Sequence, residues 1–375
     1  MDALDLLSGD AQAFLDKVWA SHVHLHHTDP DDLVGLLSLS DVDHLLTSVA
    51  LRTPALRIAK DGTVLAPSTF TRSASMAGTP LTGLVDARKV LAHFEAGATV
   101  VLQGLHRYHP PLTRLVRELE LALGHPCQAN AYLTPPGSQG FARHSDSHDV
   151  FVFQTHGRKQ WEVVEGHQER EIVLEPGLSL YLPTGTPHAA RSQDATSLHV
   201  TVGINRVTWR QLLRQATDRV LADERYDAPL PAGFLEDHSR LAGPLAQQVS
   251  ALASGLSDLD AETFVDERAA AFLRERTPAL AGGLLDLTRL DGLGDETPVT
   301  RRPTAACVLR RDGGRLVVLL GDRELRMPLR LTEAMEHVRD HHDFRVGDLA
   351  PWLDEQSRIV VVRRLVREGL LRIEQ

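Results

Sequence analysis

A series of short strand-like segments from Gln128 to Val207 places the strongest constraint on the fold of this chain. Apolar runs alternate there with turns rich in proline and glycine, and the spacing of apolar residues shows little helical periodicity. Closely spaced short strands of this kind are typical of an all-β barrel or sandwich. Within the series, the apolar segment 150–153, a turn at Gly157 and the segment 159–164 indicate a hairpin. The sequence therefore predicts a barrel at the centre of the chain.

Two histidines and one carboxylate stand where such a barrel could bring them together. His144 and Asp146 precede the apolar segment, and residues i and i+2 of a strand point to the same side, so both could face one metal ion. His188 follows another strand-like segment, 178–182, and a Pro/Gly turn. Two His and one carboxylate form the facial triad of non-haem Fe(II), which leaves positions open for a cosubstrate and O₂.

The sequence around the triplet supports this metal site more than the triplet itself does. A bare His-x-Asp is weak evidence in a chain with 19 His, but here strands and turns flank it on both sides. A second group of histidines, at residues 22–27, has no carboxylate placed to complete a site. We interpret that group as a polar loop or a strand edge near the barrel mouth.

Composition and charge narrow the class of protein. A chain of 375 residues with 42% hydrophobic residues can form two or three domains with substantial cores. We expect no membrane span and no secretory signal, and Cys127 and Cys307 fit buried positions in a reducing cytoplasm. A net charge of −10 argues against general nucleic-acid binding but would attract a basic protein or peptide.

The chain is predicted to divide into three domains, 1–207, 208–285 and 286–375. Helices are expected over residues 4–19, 41–51, 86–97 and 110–123, then over 209–223, 243–256 and 261–276, and finally over 331–341, 346–356 and 358–368. Short strands are expected at 99–103, 306–310 and 315–321, with a linker over 288–303. The apolar faces of the middle helices either pack within the monomer or form a dimer seam, and sequence leaves both open.

The last domain has the pattern of a winged helix, with strands wrapped about helices. Its final helix is basic, as in many DNA-binding winged helices, but the domain also carries many acids and lacks a set of base-reading side chains. We therefore favour a structural or partner-binding role for it over direct nucleic-acid binding.

Taken together, five motifs resemble the cupin-like JmjC ribosomal oxygenases, which are Fe(II)- and 2-oxoglutarate-dependent protein hydroxylases. The motifs are Asn130-x-Tyr132-x-Thr-Pro-x-Gly-Ser-Gln-Gly, His144-x-Asp146, Asp149-Val-Phe, Gln154-x-x-Gly157-x-Lys159-x-Trp161 and Tyr181-x-Pro-x-Gly-x-Pro-His188. The resemblance is strong over about residues 98–210 and loose over 1–97. It implies an α+β chain with a double-stranded β-helix (cupin/JmjC) barrel, a helical dimerisation domain and a winged helix, and hence a homodimer.

The resemblance also implies roles for individual residues. His144, Asp146 and His188 would ligate the iron, and Lys159 would pair with the distal carboxylate of 2-oxoglutarate. Lys159 shares its strand phase with Trp161, so both side chains can point into the barrel. The other candidates would lie near the cosubstrate or the substrate and are Asn130, Tyr132 and, on a late strand, Thr201.

The implied activity is hydroxylation of a protein side chain, with an Arg or His of a ribosomal protein as the expected target. Two alternatives stay open. One is a cupin-type metal enzyme that acts on a small molecule or a peptide natural product, and it would have no need of Lys159. The other is a non-catalytic winged-helix binding protein, against which the intact triad argues.

Overall fold

The computed structural model describes residues 2–138, 142–192, 194–278 and 280–374. The Gln-Gly end of the motif that begins at Asn130 lies outside the described residues. The chain divides into two compact units, one up to Arg206 and one from Val207 onward. A further boundary at residue 285 stays a prediction. No helix among the described residues is long and apolar enough to cross a membrane.

The first unit has helices mainly in its first part and strands in its second. Its helices are α1 (Ala3–Ser8), α2 (Ala11–Lys17), α3 (Pro30–Val34), α4 (Leu39–Thr47), α5 (Ala87–Glu95) and α6 (Pro110–Leu123). Its strands are β1 (His24–His27), β2 (Leu56–Lys60), β3 (Thr63–Val64), β4 (Thr71–Met76), β5 (Thr79–Val85), β6 (Thr99–Leu102), β7 (Cys127–Thr134), β8 (Asp149–His156), β9 (Lys159–Glu165), β10 (Gln168–Leu174), β11 (Leu178–Leu182), β12 (His188–Ser192) and β13 (Ser197–Ile204).

Most of these strands form two main sheets that enclose a barrel-like core, and β4 pairs with β5 in a separate two-stranded sheet. The larger sheet has the order β1-β11-β8-β13-β7-β6-β2-β3, and the smaller has the order β10-β9-β12. Neighbouring strands in both sheets are antiparallel. The predicted run of strands from 128 to 207 is confirmed as β7 to β13. The histidines at residues 24–27 form β1, an edge strand of the larger sheet, as the sequence suggested.

Strand β8 shows why an almost wholly apolar segment belongs at the centre of this sheet. Val150 and Val152 pack with residues of the smaller sheet, whereas Phe151 and Phe153 join the larger core on the opposite face. Both faces of the strand are therefore buried, so it lacks the polar alternation of a half-exposed strand. On the helical side, Phe14 contacts Phe151 with ring centroids 5.4 Å apart.

The turn between β8 and β9 requires glycine at position 157. Gly157 has φ +63°, and a Cβ there would lie 2.1 Å from the carbonyl oxygen of Thr196. Only glycine meets both conditions without strain. The turn directs Lys159 and Trp161 inward, and both side chains are buried, as predicted from their shared strand phase.

Helix α6 follows its sequence prediction at both ends. Pro110 occupies the first turn, where no intrahelical N–H bond is needed, and Gly124 ends the helix in the left-handed region at φ 68°. Residues 4–19 do not form the single predicted helix. Gly9 adopts φ 90°, and the Asp10 side chain accepts from the Ala13 N–H to cap a second helix.

The second unit contains a helical part followed by two small sheets. Its helices are α7 (Trp209–Leu221), α8 (Ser239–Ser257), α9 (Ala261–Arg274), α10 (Gly283–Arg289), α11 (Thr332–Asp340) and α12 (Glu355–Arg367). Its strands are β14 (Pro298–Arg301), β15 (Val308–Asp312), β16 (Arg315–Leu319), β17 (Glu324–Pro328), β18 (Asp343–Arg345) and β19 (Leu371–Ile373). The sheet orders are β18-β14-β19 and β15-β16-β17.

Two expectations for this unit were wrong. The helix predicted over 346–356 is a short 3₁₀ turn, Val346–Leu349, and α12 begins at Glu355. Pro351 interrupts the segment because it has no N–H to donate to a helical hydrogen bond. The linker predicted over 288–303 contains β14, the central strand of its sheet, which pairs with β18 on one side and β19 on the other.

Candidate metal and cosubstrate site

His144, Asp146 and His188 come together at one end of the barrel. An Asp146 oxygen lies 3.8 Å from His144 Nε2, and the other lies 3.7 Å from His188 Nε2. One ligand atom from each of the three residues lies within 4.8 Å of the others, which is a spacing that one metal ion can span. Among the described residues, no other group of three His, Cys, Asp or Glu side chains is so arranged.

The backbone that carries the first two of these residues differs from the expectation. His144 and Asp146 lie in the segment that leads into β8, not in a strand. His144 makes one antiparallel bridge to His188, with N–H···O distances of 3.0 and 2.8 Å, at the start of β12. Asp146 has no strand partner in the part of the chain that the structure describes, and its carbonyl instead accepts from the Gly185 N–H at 3.0 Å. A bridge of one residue pair and a turn contact therefore replace the predicted strand geometry.

Both imidazoles are oriented by main-chain carbonyls. The Nδ1 atom of His144 lies 2.9 Å from the Ala142 oxygen, and that of His188 lies 3.0 Å from the Thr186 oxygen. If each Nδ1–H donates to its carbonyl, each Nε2 presents its lone pair toward Asp146, as a metal ligand requires. Burial lowers the pKa of His188, which favours the neutral, ligating form. The donor set thus fits a divalent metal that takes nitrogen and oxygen ligands.

Lys159, the first residue of β9, is buried, and its hydrogen-bond partner among the described residues is neutral. Its side chain is 2% exposed, and Nζ donates to Thr134 Oγ1 at 3.1 Å. Burial lowers the pKa of this ammonium to about 7. A buried cation is costly unless a counter-charge pairs with it. The position therefore fits an anionic group of a bound molecule.

An aromatic wall connects Lys159 with the metal-binding residues. His199 stacks on Tyr132 at 4.8 Å, Trp161 meets His199 edge-on at 5.5 Å, and Trp161 lies 5.8 Å from His188. Within the described part of the chain, Trp161 Nε1 and His199 Nδ1 are buried without hydrogen-bond partners. Burial, with the nearby Lys159, lowers the pKa of His199 well below its usual value. Buried nitrogen atoms without hydrogen-bond partners among the described residues, such as these two, fit a ligand with acceptor oxygens, for example 2-oxoglutarate.

A cavity of about 420 Å³ contains all of these groups. Every site residue predicted from the sequence lines it, namely Asn130, Tyr132, His144, Asp146, Lys159, His188 and Thr201. Asn130 also has a structural contact, since its Oδ1 accepts from the Gly104 N–H at 3.0 Å. Their convergence is a finding of the structure, whereas their individual roles stay proposals.

Sequence reasoning missed several lining residues, including Arg57, Gln103, Gln128 and His199. His199 could have been found, because it stands two positions before Thr201 on β13 and so shares its face. Arg57 gave no such signal. It lies on β2, in the region where the motif resemblance is loose, and reaches the cavity through the pairing of β2 with β6 and of β6 with β7.

Comparison with known proteins agrees with this geometry. The JmjC domain family matches residues 106–171 and 165–212. A bifunctional lysine-specific demethylase and histidyl-hydroxylase NO66 from Branchiostoma floridae is 31% identical over 212 residues, covering 52% of this chain and 35% of the relative. The protein of the same name from Dictyostelium discoideum is 27% identical over 348 residues, covering 76% of this chain and 67% of the relative. The chain thus spans about a third of the first relative and two thirds of the second.

Solved structures share the fold across nearly the whole chain. The Escherichia coli ribosomal oxygenase YcfD superposes with a TM-score of 0.55 at 18% identity, covering 97% of this chain and 98% of that one. A YcfD complex with cobalt and 2-oxoglutarate gives a TM-score of 0.54 at 16% identity, with the same coverage of both chains. Identities this low establish the fold alone. The fold and site define a cupin-like JmjC domain. The relatives that the chain resembles include proteins named NO66 and ribosomal oxygenase 1.

Proposed function

We propose that this protein is an Fe(II)- and 2-oxoglutarate-dependent oxygenase that hydroxylates a protein side chain. One observation carries the proposal: the set His144, Asp146 and His188 opens onto the same cavity as the buried Lys159. A molecule with a metal-chelating end and a distal carboxylate would join these two features. 2-Oxoglutarate has both, and the YcfD structure of the same fold is described in complex with it and cobalt.

Each group in the cavity has a part in this proposal. The two imidazole Nε2 atoms and the Asp146 carboxylate would hold the metal on one face. A bound Fe(II), with 2-oxoglutarate and O₂, supplies the oxidising chemistry that replaces an unactivated C–H bond by C–OH while the cosubstrate becomes succinate and CO₂. Lys159 would donate charge-assisted hydrogen bonds to the distal carboxylate, each worth about 1.5–3 kcal/mol.

The remaining lining residues would orient the cosubstrate and exclude water. Trp161 Nε1 and His199 Nδ1 offer hydrogen-bonding atoms beside Lys159 that have no partner among the described residues. Asn130, Tyr132 and Thr201 line the same cavity, and we propose that they contact the cosubstrate or the substrate. The aromatic wall lowers the local dielectric, which strengthens the Lys159–carboxylate pair.

The charges in the cavity support a neutral target side chain. Arg57 and Lys159 line it, and Asp146 is the one carboxylate among the described residues of its lining. A substrate arginine would bring a cation toward Arg57 without a carboxylate left to receive it, and a methylated lysine would meet the same repulsion. A histidine imidazole can enter as a neutral ring and stack on aromatic side chains. We therefore propose histidine rather than arginine as the hydroxylated residue. This agrees with the histidyl-hydroxylase part of the names of the two NO66 relatives, but not with the lysine-specific demethylase part.

The partner is proposed to be a basic protein, with a ribosomal protein as the first candidate. Relatives named ribosomal oxygenase 1 from Danio rerio and Homo sapiens share 28% identity with this chain. The net charge of −10 would attract such a partner electrostatically. A cytoplasmic location, where ribosomes work, fits this assignment, and direct binding to nucleic acid is not required by it.

The second unit is proposed to supply dimerisation and partner contacts. Residues 208–285 would form the dimerisation domain and 286–375 a winged helix, with residues 1–207 as the catalytic domain. Trp209 and Leu213 on α7 and Leu245 and Val249 on α8 expose more than half of their surfaces. Exposed apolar side chains on two helices that pack together are typical of a symmetric interface.

Succinate formation from 2-oxoglutarate tests the proposal. The purified protein with Fe(II) and a ribosomal protein extract should form succinate, and Asp146→Ala should abolish it. Lys159→Ala should raise the apparent KM for 2-oxoglutarate about tenfold or more, since losing a buried charge-assisted bond costs on the order of 2 kcal/mol. Asp43→Ala, on the exposed face of α4, is the matched control and should behave like the native protein.

Three results would contradict the proposal. Full turnover by Asp146→Ala would remove the metal assignment. Metal binding with no response to 2-oxoglutarate would favour a cupin-type enzyme that acts on a small molecule or a peptide natural product. Absence of metal binding altogether would favour the non-catalytic winged-helix alternative.

A further inference from the structure

We infer that Asp149 is a positioning residue that fixes the placement of the metal-binding residue His188 relative to Asp146. It acts through the turn 183–187, which is called the ligand turn below. The inference rests on the proposed function, because it concerns how the chain prepares the metal site. Asp149 does not line the cavity, so it contacts neither the metal position nor the substrate space.

The Asp149 carboxylate is fully buried and accepts from several donors. Oδ1 accepts from the Thr184 N–H at 2.7 Å and from the Thr184 hydroxyl at 2.6 Å. Oδ2 accepts from the Tyr181 hydroxyl at 2.5 Å, and Arg206 Nε lies 3.2 Å from Oδ1. Tyr181 is fixed in turn, since its hydroxyl oxygen accepts from the Ala20 N–H at 2.9 Å. A buried charge with this many short donors is rigidly held.

The ligand turn carries this rigidity to the metal-binding residues. Immediately after Thr184, the Gly185 N–H donates to the carbonyl of Asp146 at 3.0 Å. One residue further, the Thr186 carbonyl lies 3.0 Å from His188 Nδ1. The turn is thus tied to Asp149, to the main chain of Asp146 and to the ring of His188 within three consecutive residues.

Without Asp149, the ligand turn would lose its anchor on the strand that follows Asp146. Asp149 starts β8 three residues after Asp146, so its bonds to Thr184 fix the distance between the two ligand-bearing segments. The orientation of the His188 ring depends on the same turn through the Thr186 carbonyl. Groups that orient metal ligands in this way typically change metal affinity by about 10–100-fold when removed.

Glu120 provides a matched comparison within the same unit. It is also buried, it pairs with Arg117, and its Oε1 accepts from the Cys127 N–H at 3.1 Å. Like Asp149, it ties a main-chain N–H to an arginine-paired carboxylate, but its contacts lie at the end of α6 and the start of β7. A purely structural role would make the two carboxylates equivalent for metal binding.

Cobalt titration of the metal-free protein without 2-oxoglutarate tests the inference. Asp149→Ala should weaken Co(II) affinity by about 10–100-fold, measured from the visible absorption of the bound ion. Glu120→Ala should lower the melting temperature of the metal-free protein about as much as Asp149→Ala does, but it should keep the native affinity for Co(II). At saturating metal, Asp149→Ala should recover most of the native kcat, because the catalytic groups themselves are unchanged.

If Asp149→Ala does not fold, Thr184→Val provides a second test of the inference. It removes the hydroxyl donor but retains the Thr184 N–H bond, so we expect a loss of Co(II) affinity of at least about threefold. The inference would be overturned if folded Asp149→Ala bound Co(II) with native affinity. If only Thr184→Val folds, native Co(II) affinity in that variant would overturn it. Neither result would contradict the proposed function. If the native protein itself did not bind Co(II), the proposed function would fail and the inference with it.

Discussion

Replacing Lys159 by methionine should stabilise the metal-free protein while weakening its affinity for 2-oxoglutarate by about tenfold or more. Burial lowers the pKa of Lys159 from 10.5 to about 7. The unfolded chain therefore binds more protons than the folded one between about pH 7 and pH 10.5, and stability rises with pH across that window. Below it the penalty is complete and amounts to on the order of 4–5 kcal/mol. Methionine fills a similar volume without the charge.

The expected gain is smaller than this penalty. The variant also loses the hydrogen bond to Thr134 Oγ1, worth about 1 kcal/mol, and leaves that hydroxyl with fewer partners. A net gain of on the order of 2–3 kcal/mol near pH 7 remains, which is several degrees in the melting temperature of a unit of this size. The gain should shrink as the pH is raised to about 9, because the native ammonium then loses its proton.

Thermal melting of the metal-free protein at both pH values measures the effect, with 2-oxoglutarate binding followed by calorimetry on the Mn(II)-loaded protein. Lys17→Met is the control, because Lys17 lies exposed on α2 and its replacement should change neither quantity appreciably. A melting temperature of Lys159→Met below that of the native protein at both about pH 7 and about pH 9 would contradict the expected stabilisation. Native affinity of the variant for 2-oxoglutarate would contradict the role of Lys159 in binding the cosubstrate.

Three further results are expected. The affinity of the native protein for 2-oxoglutarate should fall up to about tenfold per pH unit above about pH 7 as the ammonium deprotonates, and Lys159→Arg should flatten this dependence in calorimetric titrations. Gly157→Ala should lower the free energy of unfolding in urea by at least about 2 kcal/mol more than Gly166→Ala does. Both glycines have positive φ, but only a Cβ at position 157 would meet a carbonyl oxygen. Equal losses in the two variants would contradict this steric explanation. Light scattering should give twice 41.3 kDa for the native protein and 41.3 kDa for Leu245→Asp/Val249→Asp, and a native mass of 41.3 kDa would exclude the dimer.

Local patterns predicted the barrel and much of its site. The apolar run of β8 and the turn at Gly157 specify a hairpin through near-neighbour geometry, and the strand phase of Lys159 and Trp161 follows from it. These features depend on a few consecutive residues, so a single sequence contains them. The backbone at Asp146 could not be read in the same way, because its contact with Gly185 joins segments distant in the chain.

The missed features depend on non-local pairing or on one decisive residue. Arg57 reaches the cavity only because β2 pairs with β6, a contact that no local pattern encodes. Strand β14 lies in the predicted linker because the Gly, Asp, Arg and Pro residues of 288–303 are typical of a loop, whereas its place between two other strands depends on non-local pairing. The helix predicted over 346–356 overlooked Pro351, whose ring and missing N–H end the helical pattern before α12 can begin.

Mass spectrometry of ribosomal proteins incubated with this protein tests the central claim most directly. With Fe(II) and 2-oxoglutarate, a histidine of one basic ribosomal protein should gain the mass of one oxygen atom, and fragment ions should place it on the side chain. The product should be absent when Asp146→Ala replaces the native protein or when 2-oxoglutarate is left out. Oxidation at an arginine would contradict the charge argument from Arg57 and Lys159. Oxidation that persists without the cosubstrate or with Asp146→Ala would contradict the account as a whole.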